Sequence, residues 1–281
     1  MTKTAHALPK HQKMPSHQRI TRCFDRLKSE GRKGLIPYIT AGDPAPQHTV
    51  ELLHAMVAAG ADLLELGIPF SDPVADGPVI ERAHQQAVSQ GVTLADVLTM
   101  VSEFRNTDNV TPIVLMGYLN PVEIMGYDHF AEQAAAAGVD GVLLVDLPPE
   151  DANFIVQPLQ RWGIEAISLI SPNTPDQRIE DIAATSGGFL YYVSLKGITG
   201  AGHLDTDEVS RRVQHIKSFT ALPVCVGFGI RDGQSAAQVS MTADAVVVGT
   251  VLVELLASHK PFASAQAAVV EALKDMRSAI G

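Results

Sequence analysis

The chain has 281 residues, of which 46% are hydrophobic, and this supplies a sizeable core for one large α/β domain or two small ones. Its formal net charge of -10 disfavours a nucleic-acid partner, because neutralising phosphates needs clustered Lys and Arg. Its longest apolar runs, such as 243–256, are broken by charged residues and glycine, which excludes a membrane span of roughly 20 residues.

A polar tail over residues 1–17 opens the chain, and we expect a single domain over 18–281. Helical spacing of apolar residues at 18–30 predicts a lead-in helix, which Gly31 would end. Short apolar runs typical of buried strands follow at 35–40, 63–66, 113–116, 141–145, 166–170, 190–193, 224–226 and 245–248. Amphipathic segments of helical length lie between them, for example at 47–59, 93–104, 130–137 and 207–216.

Strands that alternate with helices predict a parallel sheet with right-handed crossovers. Eight such units without a break in composition favour one closed (β/α)8 TIM barrel, with a doubly wound open sheet as the alternative. The second and third runs are roughly 50 residues apart, which predicts a long insertion after the second strand. In a barrel that insertion would lie at the carboxyl end of the strands, where active sites form.

Acidic residues near the predicted strand ends are the first candidates for chemistry. Glu65 stands among leucines in the second strand, and if it points into the barrel mouth, burial would raise its pKa, as proton transfer near neutral pH requires. The alternative is a glutamate that faces the helices and pairs with a Lys or Arg, or one exposed at the strand end. Asp76 is either a second catalytic acid or a cap of the helix that begins near Pro78. Asp43 and Asp72 each precede a proline and are expected to be helix caps. Asp146 is expected to cap a helix or to support the site, with a catalytic role as the alternative.

Glycine-rich segments follow the later strands at 196–202, 227–233 and 246–256. Glycine allows backbone N–H groups to approach a ligand, and a short helix beginning at Gly249 and Thr250 would direct its N-terminus at an anion. Barrels commonly bind phosphate with the loops after strands seven and eight. We therefore predict a phosphate site, with strand termination by glycine as the alternative. Aromatic and apolar residues at strand ends, which either line a pocket or simply pack, are Tyr38, Met116, Tyr118, Tyr191 and Phe228.

Three other kinds of chemistry are not expected. The ten histidines include no HxH or HxxxH pair, so no metal site is predicted. No lysine lies within a predicted strand as a Schiff-base enzyme would need, and Lys196, in a loop, is the nearest candidate. Cys225 lies between valines and is expected to be buried and inert. Two cysteines and a start without a secretory pattern predict a cytoplasmic protein.

With these residues in view, the chain resembles the tryptophan synthase alpha chain family, above all through LELGIPFSDPVADGP at 64–78. Supporting matches are PYITAGDP at 37–44, YLNP at 118–121, VDLPPE at 145–150, GITGA at 197–201, GFGI at 227–230 and the pair at 249–250. The resemblance implies a (β/α)8 lyase that cleaves indole-3-glycerol phosphate to indole and glyceraldehyde 3-phosphate, without a metal or cofactor of its own. It implies that Glu65 is the general acid/base and that Asp76 binds the indole N–H.

The same resemblance assigns further residues. It places phosphate binding at Gly200, Gly229, Gly249 and Thr250, puts Tyr191 and Phe228 in the substrate site, and puts Thr199 on a loop that closes over Asp76. Tyr38 and Tyr118 are expected to contact the substrate because they stand at strand ends. It also implies a pyridoxal-phosphate β chain as partner in an α2β2 tetramer, contacted through Asp72 and Asn120. The chain departs from the family in its N-terminal tail, in Thr250 where many members carry Ser, and in the pair at 195–196. A sugar-phosphate isomerase and a non-catalytic activating subunit are the alternatives.

Overall fold

The computed structural model describes residues 17–148, 152–193, 206–227 and 229–281. Within these ranges eight parallel strands close into a barrel in which each strand pairs with the next and β1 pairs with β8. The strands are β1 (Gly34–Thr40), β2 (Leu64–Gly67), β3 (Ile113–Gly117), β4 (Gly141–Leu144), β5 (Glu165–Ile170), β6 (Leu190–Val193), β7 (Val224–Gly227) and β8 (Ala245–Val248). The predicted barrel is confirmed, and the open sheet is wrong.

Helices surround the barrel as the alternating pattern predicted. In the described ranges they are α1 (His17–Glu30), α2 (Thr49–Ala58), α3 (Pro78–Ser89), α4 (Leu94–Phe104), α5 (Leu119–Met125), α6 (Tyr127–Ala137), α7 (Asn153–Arg161), α8 (Asp176–Thr185), α9 (Thr206–Lys217), α10 (Gly233–Ser240), α11 (Thr250–Ser258) and α12 (Phe262–Ile280). A short 3-10 helix at Pro46–His48 precedes α2. Local signals fix several of these ends. Thr93 and Asp96 form a capping box at the start of α4, and Gly138 ends α6 with a φ of 94°.

The strands are apolar on both faces because both faces are covered. Every residue of β2, β4, β7 and β8 is buried. Outward residues such as Leu64 and Leu66 belong to the core shared with the helices, while Ile36, Val114 and Val247 fill the barrel interior. Alternation along β2 therefore turns Glu65 inward, toward the barrel axis.

Helix α1 closes the amino-terminal end of the barrel, because its apolar face packs against the interior residues. A buried ion network fixes it there. Asp140, with no exposed surface, lies 2.8 Å from the guanidinium of Arg19 on α1 and 2.7 Å from that of Arg105. Its carboxylate also accepts a hydrogen bond from the backbone N–H of Ile113, which binds the network to the start of β3. This end of the barrel is built for stability.

The insertion after β2 differs from a simple long loop. It consists of a loop over residues 68–77 and two helices, α3 and α4, before β3 begins. The sequence predicts both helices, α4 from the helical spacing at 93–104 and α3 from the expected helix start near Pro78. The loop that remains is short, and it contains both Asp72 and Asp76 at the carboxyl end of the strands.

Candidate active site

Glu65 is a buried carboxyl on the interior face of β2, beside Tyr38 of β1 in the strand register. Only 1% of the residue is exposed, and neither carboxylate oxygen has a hydrogen-bond partner among the described residues. Burial, and to a smaller extent the negative charge of Asp76, raises the pKa of Glu65 from 4.5 to about 8. The group is therefore protonated at neutral pH and can donate a proton to a ligand inside the barrel.

Asp76 lies at the end of the loop 68–77 and faces two side chains. The Tyr118 hydroxyl donates a hydrogen bond of 2.7 Å to its Oδ2, and Nε2 of His84 lies 3.5 Å from the same oxygen. The side chain is 11% exposed. Helix α3 begins at Pro78 behind the N-cap residue Gly77, without a side-chain cap. The capping alternative for Asp76 is therefore wrong, and its carboxylate is held at the barrel mouth by Tyr118, which directly follows β3, and by His84 of α3.

The expected capping roles of two other aspartates are also wrong. Asp43 is buried and is followed by a cis peptide bond to Pro44, and the next helix begins at Pro46 behind Ala45. Asp72 lies in the loop 68–77, exposed and distant in sequence from the first turn of α3. Their prolines belong to turns rather than to first helical positions, because the backbone bends there before a helix can begin.

Asp146 has the supporting role that the sequence predicted. It follows β4, and its Oδ1 accepts a 2.8 Å hydrogen bond from the backbone N–H of Leu119 at the first turn of α5. That contact fixes the turn that carries Tyr118, the N-cap residue of α5. Asp146 thus supports the backbone beside Tyr118, and that hydrogen bond does not involve Asp76, the partner of the Tyr118 hydroxyl.

A network of aromatic and polar side chains surrounds the two acids. The Tyr38 hydroxyl lies 3.1 Å from Oγ1 of Thr40 and 3.5 Å from Nε2 of His84. Glycine makes this arrangement possible, since a Cβ at Gly67 would overlap the Tyr38 hydroxyl. His84 was not singled out from the sequence. The one available signal was its place on the buried face of α3, eight residues after Asp76.

Tyr191 of β6 packs against the interior core cluster of the barrel. Burial, followed by the charge of Glu65, raises the pKa of its hydroxyl well above 10. A Cβ at Gly227 would overlap that hydroxyl, so β7 leaves room for it. Thr199 and Phe228, the other predicted substrate contacts of the late loops, lie outside the described residues.

The structure describes three of the four predicted phosphate-binding residues, Gly229, Gly249 and Thr250. Gly249 is the N-cap residue of α11, and α11 begins at Thr250 without a side-chain cap. Helix α10, which follows β7, is instead capped by the Asp232 carboxylate and is therefore closed to an anion. Gly229, with a φ of 76°, occupies the loop between β7 and α10, while Gly200 lies outside the described residues. The first-turn N–H groups of α11 remain suited to bind an anion.

The two predicted partner contacts are exposed on one side of the barrel mouth. Asp72 lies in the loop after β2, and Asn120 in the first turn of α5 after β3. Each has a large exposed apolar neighbour, Val74 with 88% and Ile124 with 79% of its surface exposed. Apolar side chains exposed beside polar ones are typical of a protein interface.

Several other expectations concern the rest of the chain. A cavity of about 390 Å³ lies outside the barrel, between β4–β5 and α7–α8. None of the described residues that line it carries a carboxylate, so Glu65 and Asp76 do not belong to it. Cys225 is fully buried, as expected of an inert thiol. Among the described residues, no group of three potential ligands is placed to hold a metal ion. Within the same ranges, the helices lack the length of apolar sequence that crossing a bilayer requires. Lys196 lies outside them.

Comparison with known proteins identifies the family. The model of the tryptophan synthase alpha chain family matches residues 24–280. The alpha chain of Nitrosococcus oceani is 58% identical over 242 residues, which cover 86% of this chain and 89% of that one. The alpha chain of Thioalkalivibrio sulfidiphilus is 56% identical over 263 residues, which cover 93% and 99%.

Solved structures agree with the sequence relatives. The alpha subunit of tryptophan synthase from Legionella pneumophila superposes with a TM-score of 0.87 at 46% identity, covering 93% of this chain and 98% of that one. Tryptophan synthase from M. tuberculosis, in an aminoacrylate-bound form, superposes with a TM-score of 0.84 at 30% identity, covering 94% and 99%. The resemblance drawn from the motifs is confirmed, and the sugar-phosphate isomerase is wrong. The chain therefore belongs to the tryptophan synthase alpha chain family, the lyases of the alpha reaction in tryptophan biosynthesis.

Proposed function

We propose that Glu65 and Asp76 carry the alpha reaction in this chain, the cleavage of indole-3-glycerol phosphate to indole and glyceraldehyde 3-phosphate. One observation carries the proposal. Glu65 is a buried carboxyl without a partner among the described residues, its pKa is raised to about 8, and Asp76 is close enough to contribute to that rise. A retro-aldol cleavage needs such a pair, one acid for carbon and one for nitrogen.

Glu65 acts as both acid and base in the cleavage. Its neutral carboxyl gives a proton to C3 of the indole ring, which turns the ring into an electron sink with positive charge on nitrogen. The resulting carboxylate accepts the proton of the glycerol hydroxyl on the carbon attached to C3. As that hydroxyl becomes the aldehyde, the C–C bond breaks and its electron pair returns to the ring. Glu65 ends protonated, as it began, and a pKa near the working pH suits both steps.

Asp76 stabilises the charge that appears on the ring. Its carboxylate accepts a hydrogen bond from the indole N–H, and this bond strengthens when protonation at C3 makes the nitrogen positive. The Tyr118 hydroxyl, 2.7 Å from Oδ2, orients the carboxylate for that contact. Tyr38, Tyr191, Thr199 and Phe228 are proposed to enclose the substrate, the last two on the strength of the family resemblance.

We propose that the phosphate of the substrate binds at the barrel mouth on the β8 side of β1, the strand that also pairs with β2. We assign it to the first turn of α11 at Gly249 and Thr250, together with Gly229 and Gly200. The open N-terminus of α11 supports this assignment, since its N–H groups and helix dipole favour an anion. Thr250 retains the hydroxyl that Ser supplies in many family members. Phosphate binding at α11 would place the glycerol carbons between the helix and Glu65.

The family works with a β chain, and we propose that this chain docks one through Asp72 and Asn120 in an α2β2 tetramer. Exposed Val74 and Ile124, beside those residues, support this surface. Pyridoxal phosphate belongs to the partner, and the acid pair described here needs no cofactor of its own. We further propose that the chain is one barrel domain over 18–281 and works in the cytoplasm.

The test is an assay of indole formation from indole-3-glycerol phosphate, with and without a β chain. The wild-type chain is expected to form indole and glyceraldehyde 3-phosphate in equal amounts, whereas a non-catalytic activating subunit would form neither. Asp76→Asn should lower kcat by about 100-fold or more, because the developing charge loses its counterion. The matched control is Asp25→Asn on the exposed face of α1, which should keep wild-type kcat. Equal kcat values for the two variants would overturn the proposal.

A further inference from the structure

His84 is a buried histidine beside Asp76. It has no role in the proton transfers proposed for Glu65, in the indole contact proposed for Asp76 or in the proposed phosphate site. It lies on α3, with 2% of the residue exposed. The backbone N–H of Phe70 donates a 3.1 Å hydrogen bond to its Nδ1. Its other ring nitrogen, Nε2, lies 3.5 Å from the Asp76 Oδ2 and 3.5 Å from the Tyr38 hydroxyl. The imidazole also packs edge-on against the ring of Tyr118.

The contact with Phe70 decides which ring nitrogen carries the proton. A backbone N–H can only donate, so Nδ1 accepts and has no proton of its own. In the neutral ring the proton is therefore on Nε2, where it faces Asp76 and Tyr38. His84 thus presents a donor to the carboxylate while its other nitrogen holds the backbone at the start of the same loop.

The two donors that face Asp76 meet the same oxygen. Both the Tyr118 hydroxyl and Nε2 of His84 approach Oδ2, and neither uses Oδ1. With Oδ2 fixed between Tyr118 and His84, the carboxylate has one orientation, and Oδ1 remains for the indole N–H. Because the carboxylate is already held in one orientation, no free energy of reorganisation is needed to reach the transition state.

We propose that His84 is a positioning residue that holds the loop 68–77 against α3 at both ends, through Phe70 and Asp76, and fixes the Asp76 carboxylate for the indole N–H. The proposal rests on the role proposed above for Asp76. The Nε2 donor distinguishes a positioning role from a purely structural one, because the contact of Nδ1 with the Phe70 N–H would by itself only hold the loop backbone.

Three variants separate the two contacts of His84. His84→Asn retains an acceptor for the Phe70 N–H but is too short to reach Asp76. His84→Gln places an amide donor near the position of Nε2, and His84→Ala removes both contacts. Steady-state kcat and KM for indole formation would be measured in the complex with a β chain, beside the thermal midpoint of each variant. Asp76→Asn, alone and combined with His84→Ala, completes the set, with single-turnover rates where turnover is slow.

We expect kcat to fall by about 10- to 100-fold in His84→Ala and His84→Asn, with partial recovery in His84→Gln, because the donor that lies 3.5 Å from the Asp76 carboxylate is lost and then restored. KM should change by less than about threefold, since the phosphate contacts are untouched. In the Asp76→Asn background, His84→Ala should cost less than about threefold more, because the group it positions is gone.

The results that overturn the inference differ from those that overturn the role of Asp76. Wild-type kcat in His84→Asn would show that the histidine only shapes the loop. A full additional loss of kcat in the double variant would show that it acts independently of Asp76. Wild-type kcat in Asp76→Asn alone would instead remove the proposed function, whatever the histidine does. Should His84→Ala fail to fold, the comparison of Asn with Gln still decides between the two contacts.

Discussion

Replacing Glu65 with Gln should make the folded chain more stable at neutral pH, although it removes the central acid. The carboxyl is 1% exposed and has no hydrogen-bond partner among the described residues, and its pKa rises from 4.5 to about 8 on folding. Glutamine has nearly the same shape but stays neutral at every pH. The substitution therefore removes the ionisation of this group and leaves the packing of the barrel interior almost unchanged.

The sign and size of the effect follow from the pKa. The folded chain binds this proton more tightly than the unfolded chain, so the stability that the group contributes is lost as pH rises from 4.5 to about 8. Each tenfold change in a protonation constant corresponds to about 1.4 kcal/mol, so full ionisation costs the folded state up to about 5 kcal/mol. At about pH 7 the cost is about 3 kcal/mol, and at about pH 5 it is about 1 kcal/mol.

The assay is urea unfolding of the isolated chain at a series of pH values between about 5 and 8, followed by circular dichroism. The stability of Glu65→Gln relative to wild type should rise across that range by about 3 kcal/mol or more. Glu132→Gln on the exposed face of α6 is the matched control and should show a flat difference. A flat difference for Glu65→Gln as well would refute the reasoning, because the carboxyl would then titrate alike in the folded and unfolded chains.

Three further substitutions test separate parts of the structure. Tyr118→Phe removes the 2.7 Å hydrogen bond to Asp76 and should lower kcat for indole release by about 10- to 100-fold. An unchanged kcat would mean that the hydroxyl does not orient the carboxylate. Gly67→Ala should destabilise the chain by about 1 to 3 kcal/mol in thermal unfolding, since its methyl group would overlap the Tyr38 hydroxyl. Its control is Gly77→Ala, whose methyl group meets no atom within 4 Å and should be tolerated. Asp140→Asn removes the counterion shared by two buried arginines and should cost about 3 to 5 kcal/mol of stability while kcat stays near wild type. A large loss of kcat in the folded variant would contradict the purely structural role of that network.

The barrel was predictable from the sequence because its strands are apolar on both faces. Buried runs such as 190–193 and 245–248 coincide with β6 and β8 at both ends. The strand boundaries elsewhere differ by about one residue, as expected where glycine or an acid stands at a strand end. Glu65 could be identified from the same apolar strands, because a carboxyl within a run of leucines does not contribute to apolar packing and is therefore a candidate for chemistry.

Features that depend on tertiary contacts could not be predicted. An aspartate before a proline has the same sequence in a turn as at a helix cap, and only the path of the chain decides between the two. For this reason the predicted capping roles of Asp43 and Asp72 were wrong. His84 shares a helix face with Ile80, Ala83 and Ala87, so its spacing matches that of a core position. Its role depends on the loop 68–77 folding back onto α3, and that contact leaves no periodic signal.

The central claim is that the Glu65 carboxyl supplies the proton for indole release. Its most direct test is kcat for indole formation by Glu65→Gln in the complex with a β chain, beside the binding of glyceraldehyde 3-phosphate to the same variant. We expect kcat to fall by about 10³-fold or more, within the range of general acid-base catalysis, while ligand binding stays near wild type. A kcat close to that of wild type would show that another group transfers the proton.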